Sequence, residues 1–354
     1  MSIFQLVIAP ALLAAVLLYS GCSDSDSTTS ASLVVDFPAA YVVMGEQGSL
    51  AVIDLRTDQL AGALPLRKMN RLAVSWPHHV SLSPDKARIA VGAVGADLSG
   101  GHGGHGDAGG SAVVVNAVTG ATIASRDTES GIHNVAFSPD GTTLWFAEMS
   151  DSGQVHVVNS ETLQSIATLP AGDEPAEVTF SSDGHLAFAA NGASADVTVY
   201  DVASRQYLRT IPVGENPVGA WPGGNGWMYV DNENSRTISV FHHDSSSVSA
   251  TIDLGFKPGY AALLTARNEL WVSNADSGKV VIFEQSDSGW SRVAEIATGA
   301  DAHAIAFTSD GVKAYITNQG AGTVSVVDTA SRAKITDVSV GHRPNGIVLR
   351  ELNG

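Results

Sequence analysis

The chain has 354 residues, with 36 acidic against 19 basic side chains and a formal charge of −17. That balance excludes binding to nucleic acid or anionic lipid by charge, and no basic cluster offsets it. At 44% apolar and 16% charged residues, it has ample material for a core and is not a disordered chain.

Taken from the start, Ile3 to Tyr19 form an apolar stretch ending in Ser20-Gly21-Cys22, followed by a Ser/Asp/Thr run to Ser30. An apolar core of this length before small residues reads as a secretion signal, with an uncleaved anchor helix as the alternative. The Ser-Gly-Cys ending resembles the bacterial lipobox, and the resemblance implies cleavage before Cys22 and lipidation of its thiol. We therefore expect a signal peptide over 1–21, a flexible tether over 22–36 and one domain over 37–354. The expected location is the periplasm, lipid-anchored, with Ser23 favouring the outer membrane. Cys22 is the one cysteine, so the mature chain has no disulfide to form.

Beyond the tether one pattern recurs: an apolar alternation, an Asp-Gly turn, then another alternation. It is seen in Val80-Ser-Leu-Ser-Pro-Asp85, Val135-Ala-Phe-Ser-Pro-Asp-Gly141, Val178-Thr-Phe-Ser-Ser-Asp-Gly184 and Ile305-Ala-Phe-Thr-Ser-Asp-Gly311. Aligned, the copies put Pro77, Ile132, Pro175, Pro217, Pro258, Ala302 and Pro344 in one column, at spacings of 55, 43, 42, 41, 44 and 42. A period near 42 with strand alternation is that of a four-stranded propeller blade. Blade 6 shows the unit: strand A over 304–308, B over 314–318, C over 323–328 and D over 334–340. Six units are complete. Residues 41–44, 49–55 and 59–66 read as strands B, C and D of a seventh, whose strand A is 345–349. The expected fold is all-β: a seven-bladed β-propeller of four antiparallel strands per blade, closed by N-terminal strands B–D on C-terminal strand A.

Ala314-Tyr-Ile-Thr-Asn318, Thr323-Val-Ser-Val-Val-Asp328 and the Val-Gly-x-x-Pro of Val213–Pro217 and Val340–Pro344 resemble the YVTN family of bacterial seven-bladed propellers. The resemblance spans residues 40–350 and speaks to fold, since propellers host many chemistries.

Strand A of each blade lines the channel. The position after the proline column holds His78, His133, Ala176, Val218, Gly259, His303 and Asn345. Three of seven are His in a chain with 11. The next column adds His79, Asn134 and Glu177. Blade 1 is longer than its neighbours by a Gly-rich loop between B and C carrying His102, His105 and Asp107, which emerges on the same face. Imidazoles beside a carboxylate suit Zn²⁺ first and Cu²⁺ or Ni²⁺ less well. The expected metal site is thus His78, His133, His303, His79 and Glu177, with His102, His105 and Asp107 capturing the ion. Glu148 is a further acid on this face. The six Trp, Trp221 among them, read as inter-blade packing, and His156, His185, His242, His243 and His342 as surface or strand-edge residues.

A loose His loop over a His ring is also similar to periplasmic zinc-chaperone propellers. That similarity implies zinc capture and hand-over to the binding protein of a transporter, by a monomer without turnover. Two readings stand beside it. One is a YVTN scaffold for protein partners; the other is a lactonase-like or oxidoreductase-like propeller enzyme.

Overall fold

The computed structural model describes residues 33–98, 109–151 and 153–352. Within them the strands assemble into seven four-stranded antiparallel sheets, each in chain order from the inside outward save one. The exception is the closing blade. Its inner strand Pro344–Arg350 pairs with Ala39–Met44, and Ser49–Asp54 and Gln59–Pro65 complete it. Tyr41 faces Val348 across that seam and Val42 faces Ile347. The propeller and its closure are as expected, with strand ends within two residues.

Alternation buries both faces of the inner strands, because each sheet is sandwiched between two others. Trp145 of blade 2 packs with Val178 and Tyr200 of blade 3, and Trp271 of blade 5 with Ile305 and Ile316 of blade 6. At the seam, Ala40 and Val42 pack on Tyr315 and Val324 of blade 6, while Tyr41 and Val43 pack on Ile89 and Val91 of blade 1. The contact reaches back into the expected tether. Val35 is fully buried, donates its N–H to Val118 O, and accepts from the guanidinium of Arg350.

Four of the inner strands end in an Asp-containing turn closed by its own side chains. Ser83, Ser138, Ser181 and Thr308 each donate their hydroxyl to the Asp two residues on, at 2.5–2.6 Å. That Asp then accepts the backbone N–H of the second residue beyond it. These are Asx-type turns that satisfy themselves. The hydroxyl is the main reason that Asp85, Asp140, Asp183 and Asp310 are all held below the usual carboxylate range.

The other end of the inner strands is bulged. Pro77 faces Ala93 and Val80 faces Val91, so three residues span what two span on strand B. The same mismatch recurs at Pro175/Val178, Pro217/Ala220 and Ala302/Ile305. A bulge breaks the two-residue alternation. Adjacent side chains such as His78 and His79 can then point the same way.

Candidate active site in the central channel

The bulges aim a set of polar side chains at one place. The rings of His78 and His133 lie 4.0 Å apart between centroids, and His79 is 4.9 Å from each. His303 stands 5.7 Å from His78 and 5.4 Å from His79. Gly259 helps admit it, since a Cβ there would stand 3.3 Å from His303 Nδ1. All four imidazoles are buried, His133 completely.

Glu177 joins them from blade 3. Its Oε1 lies 2.8 Å from His133 Nδ1 and 3.5 Å from His79 Nε2. Its Oε2 accepts from the amide of Asn134 at 3.1 Å, and Asn134 is itself held by the backbone of Val178 through both amide atoms. The carboxyl is 1% exposed. Burial, with Asp231 adding to it, pushes it well above the ordinary carboxylate range.

The five residues expected around an ion, His78, His79, His133, His303 and Glu177, are therefore brought together. His102, His105 and Asp107 lie outside the described residues, as does Cys22. Glu148 is engaged elsewhere: its Oε1 sits 3.1 Å from His156 Nε2, and that hydrogen bond holds it low. His156 is buried against Phe146 and is not the surface residue expected.

Three further residues complete the wall. Tyr260, in the same column as His79 and Glu177, lies nearly parallel to His79 at 6.1 Å. Trp221 sits against Tyr260 at 3.9 Å and against His79 at 6.3 Å, so it belongs to the channel and is not only packing. Its indole occupies the space over Gly219, where a Cβ would come within 2.3 Å of the ring. Asp231, on strand B of blade 4, accepts from Trp221 Nε1 at 2.8 Å and from Gly219 N at 3.0 Å through Oδ1. Its Oδ2 is buried with no hydrogen-bond partner among the described residues. Burial raises the Asp231 carboxyl strongly, and the Tyr260 phenol is raised by burial, Glu177 and Asp231. Tyr260 was legible from its column. Asp231 was not, because it reaches the channel from a second strand.

Chemically the channel holds buried imidazoles and two buried carboxyl groups, with a phenol and an indole for a wall. Such a set can accept a proton at one point and donate one at another.

The family model described as lactonase, seven-bladed beta-propeller, matches residues 37–251. No curated protein matches the sequence. Among solved structures, the periplasmic gluconolactonase PpgL of Pseudomonas aeruginosa superposes with a TM-score of 0.71 at 20% identity, over 89% of this chain and 100% of that one. A candidate 6-phosphogluconolactonase of Bacteroides fragilis gives 0.70 at 14% identity, over 89% and 99%. The hydrazine synthase of Kuenenia stuttgartiensis gives 0.65 at 16%, over 85% and 99%. At these identities the structural likeness is one of fold.

Proposed function

We propose, from the premise that this chain belongs to the lactonase family of seven-bladed β-propellers, that it hydrolyses a ring ester in its central channel. The family match corrects the expectation of zinc capture and hand-over to a transporter protein. What survives of the resemblances drawn from sequence is the seven-bladed propeller itself.

The observation that carries the reading is the pair of buried carboxyl groups, Glu177 and Asp231, in one channel with Tyr260 and the imidazoles. Ring-ester hydrolysis needs a proton removed from water as it adds to the carbonyl carbon. It needs another supplied to the ring oxygen as the C–O bond breaks. Glu177, aligned by Asn134 and facing His79 and His133, takes the first proton. Asp231, whose Oδ2 has no hydrogen-bond partner among the described residues, and the phenol of Tyr260 are the donors for the second. Trp221 and Tyr260 offer an aromatic wall to the apolar face of a sugar-like ring.

The test uses D-glucono-1,5-lactone as probe, with acid release followed by indicator and corrected for spontaneous hydrolysis. Turnover by the parent, and its loss in Asp231→Asn and Glu177→Gln, is the expected result. Equal rates in all three proteins would sink the assignment.

Export and anchoring through Cys22 complete the proposal. No helix among the described residues is long and apolar enough to cross a membrane. Cys22→Ser is expected to move the protein from the membrane to the soluble periplasmic fraction; retention on the membrane would count against lipidation.

A further inference from the structure

We infer that His78, His79 and His133 bind a divalent transition-metal ion of the zinc class in the channel, as a resident ion of the site described above. The inference rests on the lactonase reading for its use, because a bound ion would hold and activate the attacking water. It does not rest on that reading for its test.

The repeat does not require an imidazole at either position. Other blades hold Ala176, Val218, Gly259 and Asn345 in the first column, and Asn134, Glu177, Gly219, Tyr260, Ala304 and Gly346 in the second. Blade 4, with no imidazole in either column, has the same bulge as blade 1 with His78 and His79 and blade 6 with His303, whereas His133 precedes the short inner strand Ala136–Phe137 of blade 2. Three imidazoles have instead been gathered where one ligand nitrogen from each lies within 4.8 Å of the others. Zinc–nitrogen bonds of about 2.0–2.1 Å in a tetrahedron put ligand atoms about 3.3 Å apart, so small ring rotations close the set. His303 borders the same space as a fourth imidazole.

The shell behind the rings has the form such a site uses. A ligating His commonly turns its second ring nitrogen to a carboxylate, which fixes the ring and strengthens it as a donor. Glu177 stands in that relation to His133 Nδ1 at 2.8 Å and faces His79 Nε2 at 3.5 Å. The opposite nitrogen of each ring is then the metal donor. Glu177 is locked in turn by Asn134, so the arrangement is rigid two layers deep. With imidazole ligands and no thiolate, the set selects zinc-like ions over Cu(I).

The experiment takes untagged, chelator-stripped protein and titrates it with zinc sulfate against a competing chromophoric chelator. One ion per chain is expected. Affinity should fall at least 100-fold in His133→Ala and about 10- to 100-fold in Glu177→Gln, and stay unchanged in His243→Ala. The last variant removes part of the more exposed His242, His243 and Asp244 grouping. Cobalt(II) bound to the parent should show the visible bands of a tetrahedral nitrogen site, a readout free of any folding defect in the variants. Absence of zinc binding by the parent, or undiminished affinity in His133→Ala, would overturn the inference. Lactone turnover that persists in fully stripped protein would refute the ion's role while sparing the lactonase reading. Tight zinc binding without turnover of any lactone would do the reverse.

Discussion

The two ends of the inner strands follow opposite rules. At one end, Ser83–Asp85, Ser138–Asp140, Ser181–Asp183 and Thr308–Asp310 repeat a single solution in which each turn satisfies its own polar groups. At the other end the backbone repeats, bulge after bulge, while the side chains do not: His-His, Ala-Glu, Val-Gly and His-Ala occupy one structural position. The turn end spends polar groups on local closure. The mouth end buries polar groups that local structure does not need, and burial of that kind is costly unless something else is gained. In a repeat protein, a position where the backbone is constant and the chemistry is not is where function has been placed.

That contrast can be broken in steps. Deleting residues 342–354 removes both ends of one inner strand and the seam with Ala39–Met44. No cooperative thermal transition should remain by circular dichroism, and a parent-like melt would refute the closure. Glu177→Gln touches the mouth end alone. Lactone turnover should drop about 100- to 1,000-fold, with the melting midpoint held or raised.

Asp231→Asn sharpens the comparison through pH. Burial raises the folded-state pKa of Asp231 above its unfolded value, so the folded protein binds this proton more tightly. Its contribution to stability is complete at acid pH and is lost as pH rises from about 4 through the folded pKa. The Asn variant should lose that decline and gain about 1–2 kcal/mol at pH 7 by chemical denaturation. A loss of stability at pH 7 would mean that the carboxylate is satisfied in a way the site does not show. Asp140→Ala is the counterpart at the turn end. It should cost about 1 kcal/mol, with turnover within twofold of the parent. Its carboxyl is held low by Ser138 first, so its contribution is present above the unfolded pKa and fades as pH falls through the folded one.

Much of the fold was legible because blades repeat. The 42-residue period, the proline column and the divided seventh blade follow from spacing alone, and the structure has them all. His78, His79, His133, His303 and Glu177 could be grouped because they fall in two adjacent columns of the repeat. Asp231 and Trp221 could not, since what brings them in is an absence. Gly219 has no side chain, so an indole folds over it and a strand-B carboxylate reaches its N–H. Glu148 misled for a related reason: its partner, His156, lies across a strand pair and not in any column. The chemistry was the least legible part. Clustered imidazoles speak of metal, whereas membership of the lactonase family became visible only through kinship over residues 37–251.

The shared seventh blade also has a consequence in time. Tyr41 and Val348 are pairing partners about 300 residues apart, so the ring can shut only after the last strand has been made. Until then the chain is a series of blades with one edge waiting, closed by a strand pairing of very long sequence separation. Under the export proposed above, this would be a built-in delay: strands Ala39–Met44, Ser49–Asp54 and Gln59–Pro65 would wait for a fourth, Pro344–Arg350, that is made last.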